Sequence, residues 1–317
     1  MKNYTLLFFL LLFQANYSQT GESHFNEGKK LYDAKSYTEA IKQFDSAISL
    51  KYANAELYIV KANSSYFLDD KKAAFENYTK AIETDPKSAR AYYNRGILYK
   101  GDGQYEQAMS DFNSSLNADA NYSSALLERG KLYYAVQSDY QKAINDLEKY
   151  VNTNPKDDEA YAMLGVCTGK LNSNPKTIAK SIEYFSKAIE LNTKESDYYY
   201  YRGYAFIDKG DNKKALSDMN KAIELNPKNE LAYFERGNIH FDAKDYAKQI
   251  TDYDKAIALN SKSGKYFYWR GYAKFFGLKD KDLACPDFFK AIELGYKKAE
   301  EMKSICNTKG RTIIVTE

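Results

Sequence analysis

The stretch DPKSARAYYNRG, residues 85–96, combines a helix end with a helix start. Residues before proline disfavour the α conformation, so we expect one helix to end at Pro86 and the next to begin shortly after it. The stretch closes on Gly96, one of eight small residues that recur at spacings of 34, 34, 34, 35, 38, 34 and 34: Gly28, Ala62, Gly96, Gly130, Gly165, Gly203, Gly237 and Gly271. A period this regular predicts an array of helical repeats.

A second set of small residues begins about twelve positions after each of the first. Here an aromatic residue or a methionine lies between two alanines, as in Ala40/Phe44/Ala47, Ala74/Tyr78/Ala81, Ala215/Met219/Ala222 and Ala284/Phe288/Ala291. Two antiparallel helices approach closely only where small residues face each other, and larger side chains fill the space around them. Because one such pair cannot bury its apolar face alone, we expect neighbouring pairs to stack.

This 34-residue helix–turn–helix period, with its small and aromatic positions, resembles the tetratricopeptide repeat (TPR) family. The resemblance covers eight repeats over residues 19–294. It implies an all-α fold, a right-handed superhelix (α-solenoid), and a concave groove on which a protein or peptide partner docks. It does not identify that partner. Residues 295–317 are interpreted as a capping helix, from Lys297 to Cys306, and a short tail.

Three repeats depart from the period. The fourth and eighth carry one extra residue each, which we place in the inner turn near Gln137-Ser138 and near Lys279-Asp280. The fifth carries four extra residues, placed at Asn172 to Pro175 because this sequence favours a turn. These changes affect local turns and leave the predicted fold intact.

The first residues and the overall charge bear on location and partners. Residues 1–18 have a lysine, then eight apolar residues from Leu6 to Phe13, then a small polar region, which is typical of a signal peptide cleaved after Ser18. The predicted mature protein is exported, periplasmic or extracellular, with no transmembrane segment; an uncleaved anchor is the alternative. A net charge of +3 is too balanced for an electrostatic nucleic-acid binder.

Arginine precedes the small residue in five repeats, and each of these five also has an aspartate 16 or 17 positions later. The three remaining repeats lack both members. Helical geometry turns the arginine toward the second helix and away from the groove. We therefore predict ion pairs within repeats, with a ligand-binding or catalytic arginine as the alternative: Arg95–Asp111, Arg129–Asp146, Arg202–Asp218, Arg236–Asp252 and Arg270–Asp287.

No catalytic constellation is evident in the sequence. The chain has two histidines, and His240 occupies a slot where sister repeats carry Tyr99, Tyr133 or Phe206, so packing is its expected role. No zinc-like His/Cys spacing, phosphate-binding loop, dinucleotide fingerprint or nucleophile elbow is present. We predict that the protein is not an enzyme and has no cofactor, metal or catalytic residue.

Three cysteines are present. Cys167 is expected to be a small packing residue. Cys285 and Cys306 bracket the predicted cap of an exported protein, so we predict a disulfide between them, with free thiols as the alternative.

Aromatic residues accumulate on the expected groove face of the last three repeats. The slots three before, one after and four after the glycine hold seven aromatics in nine positions there, against five in fifteen positions earlier in the chain. The predicted partner-binding groove is therefore Tyr200, Tyr204, Phe234, Phe241, Tyr268, Tyr272 and Phe275, with Trp269 at its edge. The alternative is that these rings are buried between adjacent repeats.

The sequence thus favours a non-catalytic protein- or peptide-binding scaffold of the bacterial cell envelope. The lysine-and-asparagine clamp by which some TPR domains hold chaperone tails is not expected. Asn63 and Asn238 fill its asparagine slot, but Ile59 and Phe234 fill its lysine slot. Two alternatives remain open: an envelope glycan-binding module, and an accessory regulatory subunit of an enzyme.

Overall fold

The computed structural model describes residues 20–172 and 174–307. Regular structure in these residues is entirely helical, which confirms the predicted all-α solenoid fold. The predicted leader, residues 1–18, lies outside the described residues. The helices are α1 (residues 20–33), α2 (Tyr37–Ser49), α3 (Ala55–Phe67), α4 (Lys71–Thr84), α5 (Ala89–Gly101), α6 (Tyr105–Ala118), α7 (Ser123–Leu132), α8 (Tyr140–Thr153), α9 (Asp158–Leu171), α10 (Pro175–Leu191), α11 (Ser196–Asp208), α12 (Asn212–Leu225), α13 (Glu230–Asp242), α14 (Tyr246–Leu259), α15 (Gly264–Tyr272), α16 (Lys281–Glu293) and α17 (Lys303–Asn307).

The described part of the chain forms two compact units, which divide between Asn154 and Pro155. Each unit consists of consecutive helix pairs, from α1/α2 to α7/α8 in the first unit and from α9/α10 to α15/α16 in the second. The odd-numbered helix of each pair is its first helix, and we call the surface that these helices form in a unit its first-helix face. None of the helices in the described part of the chain is both long and apolar enough to cross a membrane.

The recurring glycine allows the two helices of a pair to touch. A Cβ added at Gly96 would lie 2.8 Å from Phe112, and one added at Gly237 would lie 2.7 Å from Tyr253, which is too close in both cases. The aromatic residue of the second helix therefore packs directly on the glycine backbone of the first. Phe112 and Tyr253 are accordingly fully buried. This contact explains why the period of small residues marks the repeats.

Acidic and amide side chains begin many of the helices. Asp70, Asp139, Asp211 and Asp245 each accept a hydrogen bond from the backbone N–H three residues later, at 2.9–3.2 Å. Such N-caps satisfy donors that a helix start leaves open. In these repeats, the aspartate at the end of the inner turn therefore favours the start of the second helix at that point.

The extra residue in the fourth and eighth repeats is absorbed within the first helix rather than in the turn after it. A π-helical segment, Tyr133–Gln137, continues α7, and Ala273–Gly277 continues α15. The predicted position in the fourth repeat, Gln137-Ser138, coincides with the end of the first segment, and the predicted position in the eighth, Lys279-Asp280, lies just after the second. A π turn accepts one more residue because its hydrogen bonds span five residues instead of four.

The four extra residues of the fifth repeat lengthen helices and leave the link between them unchanged. α9 has 14 residues and α10 has 17, against 13 in α11 and 14 in α12. The link from residue 172 to residue 174 is as long as the link between α11 and α12. The extra residues therefore adjoin the predicted position, but they are helical and do not lengthen the turn. Asn174 and Pro175 form a helix start, because the Asn174 side chain caps Lys176 N and Thr177 N.

The predicted capping segment is helical, but its first half is a 3₁₀ helix, Lys297–Met302, and only the second half, α17, is α-helical. Ala299 and Met302 are buried in one cluster with Tyr268 and Phe288 of the last repeat. The segment therefore covers apolar surface that no further repeat is present to cover among the described residues.

Candidate functional site

Each of the five predicted arginine–aspartate pairs lies within its own repeat as a two-bond ion pair. The arginine Nε donates to aspartate Oδ2 at 2.7–2.9 Å, and Nη2 donates to Oδ1 at 2.5–2.9 Å. The aspartates are buried, and the arginines are about one-fifth exposed. This is the parallel geometry in which a guanidinium holds a carboxylate most strongly. The pairs tie the first helix of a repeat to the second.

The same arginines also connect neighbouring repeats, which the sequence reasoning missed. The remaining Nη1 reaches a side-chain oxygen 16 residues earlier, on the second helix of the preceding repeat, at 2.6–3.3 Å. The acceptors are Thr79, Asn113, Ser186, Asn220 and Asp254. A signal was present, because a polar residue lies two positions after the aspartate slot of the preceding repeat. With three nitrogens engaged, these arginines serve packing between helices.

Three of the seven predicted groove aromatics are buried, which corrects their assignment as partner contacts. Tyr200, Phe234 and Tyr268 are 8%, 1% and 3% exposed. They share the slot three residues before the glycine, and this slot faces the adjoining helices. The Phe234 ring, for example, lies 4.9 Å from Tyr266 of the next first helix and 5.4 Å from Tyr253. The alternative reading of the sequence, burial between repeats, holds for this slot.

The other four predicted aromatics reach the surface of the second unit. Tyr204 is 44% exposed, and Phe241, Tyr272 and Phe275 are partly exposed. Phe241 and Tyr272 meet edge to face at 6.0 Å. We call these four residues the aromatic surface of the second unit. Trp269, predicted at its edge, is half-buried and packs on Tyr272 at 5.5 Å.

A carboxyl group lies near this aromatic surface. Glu235 accepts a hydrogen bond from Asn238 Nδ2 at 2.8 Å. Burial raises the pKa of Glu235, and the hydrogen bond from Asn238 and the nearby Lys265 only partly offset this effect. The Glu235 charge in turn contributes to a raised pKa of Tyr204, after the larger effect of burial. The aromatic surface therefore borders a carboxyl group that is easier to protonate than an ordinary one.

The first unit carries a pocket that we did not predict from the sequence. It has a volume of about 320 Å³ and lies on the first-helix face of α1, α3 and α5. Its lining contains two asparagines, an arginine and several tyrosines, and we call it the amide pocket: Tyr32, Asn63, Tyr66, Phe67, Tyr78, Arg90, Tyr93, Asn94, Ile97, Leu98 and Tyr122. The signal in the sequence was the pair of amide residues, Asn63 and Asn94, on neighbouring first helices.

Hydrogen bonds fix the amides in this pocket. Tyr78 Oη donates to Asn63 Oδ1 at 2.6 Å, and Asn94 Nδ2 donates to the same oxygen at 3.3 Å. Burial raises the pKa of the Tyr78 hydroxyl, so it remains a proton donor. Asn63 Nδ2 lies 3.5 Å from Tyr32 Oη, at the limit of a hydrogen bond. Asn63 is therefore held mainly through its oxygen, with a weaker contact through its nitrogen.

The fourth repeat places a different carboxylate at the slot that Glu235 occupies in the seventh. Glu128 accepts hydrogen bonds from Lys100 Nζ at 2.5 Å and Lys131 Nζ at 3.0 Å. Burial alone would raise the pKa of Glu128, but the two lysines together lower it. Lys100 and Lys131 thus neutralise a buried carboxylate.

The cysteines take their predicted places. Cys285 on α16 and Cys306 on α17 are joined by a disulfide, and Cys167 is a free, buried thiol whose pKa is raised to about 12 by burial. His240 is partly buried, with Nε2 3.8 Å from Asp252 Oδ2, and burial lowers its pKa. Among the described residues, no group of three or more His, Cys, Asp and Glu side chains is arranged to hold a metal.

Comparison with family models identifies repeats in both units. Models described as tetratricopeptide repeat match residues 55–88, 77–109, 124–157 and 231–263, and a model described as TPR repeat matches residues 203–244. Among curated proteins, DnaJ homolog subfamily C member 3 from Homo sapiens is 24% identical over 159 residues, which is 46% of this chain and 31% of that protein. The chain thus matches about a third or less of the length of the first curated relatives.

Two solved structures share the architecture. The crystal structure of YrrB, described as a TPR protein with an unusual peptide-binding site, is 27% identical, with a TM-score of 0.54, over 60% of this chain and 95% of that one. The C-terminal part of a TPR repeat-containing protein from Cytophaga hutchinsonii is 20% identical, with a TM-score of 0.58, over 76% of this chain and 97% of that one. The second likeness concerns the fold alone.

Proposed function

Because this chain belongs to the tetratricopeptide-repeat family, we propose that it is a non-catalytic scaffold that binds a protein or peptide partner on its first-helix faces. The observation that carries this proposal is the aromatic surface of the second unit. Phe241 and Tyr272 contact each other, whereas Tyr204 lies against Tyr200 and Phe275 against Phe276. The four rings nevertheless remain partly open to solvent. Rigid, half-exposed tyrosine and phenylalanine rings offer contact area at low entropic cost.

The described side chains give no support to a reaction. The five arginines that precede the glycine of a repeat are engaged by aspartates and by the preceding repeat, so they are not free to bind a charged substrate. The likeness to YrrB, described as having a peptide-binding site, supports a peptide ligand over a small molecule. The proposed location, the bacterial cell envelope, rests on the signal-like composition of residues 1–18.

Site-specific photo-crosslinking in cells tests the proposal. A photoreactive phenylalanine analogue replaces Tyr204 in one variant and Phe289 in a matched control, since Phe289 is 43% exposed but lies on the second helix α16. We expect crosslinks to one or a few proteins from position 204 and none of these from position 289. The cross-linked species are identified by mass spectrometry, and the cell fraction that holds them tests the proposed location.

A binding measurement with the identified partner follows. The Tyr204→Ala/Tyr272→Ala variant should bind at least about tenfold more weakly, because truncating a hot-spot aromatic costs about 2 kcal/mol. Phe289→Ala should bind normally, and both variants should keep the helical circular dichroism spectrum of the wild type. Equal binding by all three proteins, or crosslinks to glycan alone, would contradict the proposal.

A further inference from the structure

We infer that the C-terminal cap is a strap operated by disulfide exchange: the Cys285–Cys306 bond holds it closed over the end of the last repeat, and a dithiol reductant releases it. We call residues 296–307 the strap, because they run back from the end of α16 to Cys285 near its start. Release uncovers Tyr268 and Trp269, which lie beside the aromatic surface of the second unit. The inference goes beyond the proposed function, and its test needs no partner.

The strap is attached to α16 at both of its ends. At its start, Gly295 adopts φ +77°, and its N–H donates to Ile292 O at 2.8 Å. A glycine in this conformation ends a helix and turns the chain away from the helix axis. At the far end, Cys306 is bonded to Cys285 across a sequence separation of 21 residues. Opening the disulfide therefore frees one end of the strap while the other end stays in place.

Between these ends the strap has little to hold it in place. Of its twelve residues, Ala299 and Met302 are buried and seven are exposed. It consists mainly of a six-residue 3₁₀ helix and the five-residue α17, and helices this short are not stable alone in water. The ion pair of Lys303 with Glu300 lies within the strap and does not tie it to α16. Since burial of two side chains offsets only part of the entropy lost on ordering, the disulfide decides whether the strap stays closed.

The closed strap covers aromatic rings of the last repeat. Tyr268 is 3% exposed, and the ring of Tyr296 lies 5.2 Å from it. Lys298 Nζ lies 5.5 Å from the Tyr268 ring and 5.2 Å from the Trp269 ring, which are cation–π contacts. Tyr268 and Trp269 in turn pack on Tyr272 of the aromatic surface, at 6.1 and 5.5 Å. Release of the strap therefore exposes two rings that are continuous with the aromatic surface.

The exchange proceeds through Cys306, which is partly exposed, whereas Cys285 is 9% exposed. A thiolate of the reductant attacks Cys306 Sγ, forms a mixed disulfide and expels the Cys285 thiolate, which takes up a proton. The second thiol of the reductant then displaces Cys306, which is protonated in turn. Two electrons and two protons thus enter the chain, and the reductant leaves as a disulfide. Cys167 takes no part, because it is fully buried and burial raises the pKa of its thiol.

Trp269 provides the measurement, because it is the only tryptophan in the sequence. We expect dithiothreitol to shift its fluorescence emission to longer wavelength and to raise its quenching by acrylamide about twofold, since a half-buried ring becomes open to solvent. Trypsin should cleave after the exposed Lys298 and Lys303 at least about tenfold faster in the reduced protein, because local opening controls such cleavage. The helical circular dichroism spectrum should remain, since the repeats stay folded.

Two variants serve as matched controls. Cys285→Ser/Cys306→Ser should resemble the reduced wild type with or without dithiothreitol, and Cys167→Ala should respond to dithiothreitol as the wild type does. Equal quenching and equal cleavage of the oxidised and reduced wild type would overturn the inference. Loss of the helical spectrum on reduction would also overturn it, since the strap would then not open separately from the repeats. Crosslinks from position 204 test the proposed function independently of these results.

Discussion

Arg95 and Asp111 form a two-bond ion pair that joins the helices of the third repeat, with Nε to Oδ2 at 2.8 Å and Nη2 to Oδ1 at 2.9 Å. Asp111 is 4% exposed. Removing one partner of a buried pair leaves the other charge uncompensated, which costs about 3 kcal/mol or more. We therefore expect Asp111→Ala to lower the free energy of unfolding by about 3 kcal/mol, as measured by urea denaturation followed by circular dichroism.

An exposed ion pair provides the control for this measurement. Lys187 and Glu190 are paired at 2.9 Å, but the Glu190 side chain is 67% exposed. Glu190→Ala should change the free energy of unfolding by less than about 0.5 kcal/mol. In the variant Arg95→Met/Asp111→Leu neither charge is left alone, so much of the lost stability should return. Equal effects of Asp111→Ala and Glu190→Ala would mean that the buried pair contributes no more to the free energy of unfolding than the exposed pair does.

These ion pairs were predictable from the sequence because both members vary together among the repeats. Arg95 and Asp111 are present together, and Lys61 and Asn77 occupy the same two slots of the second repeat. The small-residue period likewise predicted the helix pairs, since a glycine such as Gly96 must face a large side chain of its own repeat. Both contacts are made within one repeat, so comparing the eight repeats of this one sequence is enough to predict them.

The exposure of the groove aromatics could not be predicted in the same way. Phe234 and Phe241 both lie on the first-helix side in a helical projection, yet Phe234 is 1% exposed and Phe241 is partly exposed. The difference depends on how far each repeat rotates on the next, and the pattern of a single repeat does not contain that rotation. The amide pocket was missed for a related reason, because Asn63 and Asn94 occupy different slots of their repeats and meet only after stacking.

In the turn between the two helices of a repeat, one residue adopts a left-handed backbone conformation with positive φ. In several repeats this residue is not glycine. Gly210 has φ +79° there, and Lys244 of the next repeat has φ +58°. A side chain at positive φ costs about 1 kcal/mol, and glycine avoids this cost. We expect Lys244→Gly to raise the free energy of unfolding by about 0.5–1 kcal/mol, as measured by urea denaturation.

The reciprocal variant is the control. A Cβ added at Gly210 would meet no atom within 4 Å, so Gly210→Ala tests the backbone conformation alone. It should lower the free energy of unfolding by about 1 kcal/mol. If Lys244→Gly destabilises the protein, contacts of the Lys244 side chain outweigh its backbone strain and the expectation is wrong.

The disulfide between Cys285 and Cys306 should stabilise the last repeat by holding the cap against it. The bond closes a loop with a sequence separation of 21 residues. In the chain-entropy model a loop of this size contributes about 3 kcal/mol. We expect reductant to lower the melting temperature of the wild type but not that of Cys285→Ser/Cys306→Ser. Protein isolated without reductant should react with alkylating agent at neither cysteine, and modification of both would rule out the bond.

Glu235 and Glu128 occupy the same slot of their repeats, but their charges should change the free energy of unfolding at neutral pH in opposite directions. Burial raises the pKa of Glu235 above its ordinary value of 4.5. A carboxyl group with a raised pKa in the folded state destabilises the protein once pH rises and it must ionise. Glu235→Gln should therefore be more stable than the wild type at pH 7.5, and this gain should vanish as the pH approaches about 4.5.

For Glu128 the sign is reversed. Burial opposes ionisation, but hydrogen bonds from Lys100 and Lys131 lower its pKa below the ordinary value of 4.5. Its ionised form therefore stabilises the folded state above that value, and the contribution is lost as pH falls through the lowered pKa. Glu128→Gln should be less stable than the wild type at pH 7.5 by about 1.5–3 kcal/mol, the usual range for hydrogen bonds to a charged group. Its deficit should shrink in acid.

Urea unfolding of the wild type and both variants at pH 7.5, 5.5 and 4.0 measures these differences. Subtracting the wild-type value at each pH removes the response of every other group that titrates in the same way in all three proteins. The two difference curves should then have opposite signs at pH 7.5 and converge toward zero on acidification. Curves of the same sign at pH 7.5 would show that Asn238 and Lys265 compensate Glu235 as fully as the two lysines compensate Glu128.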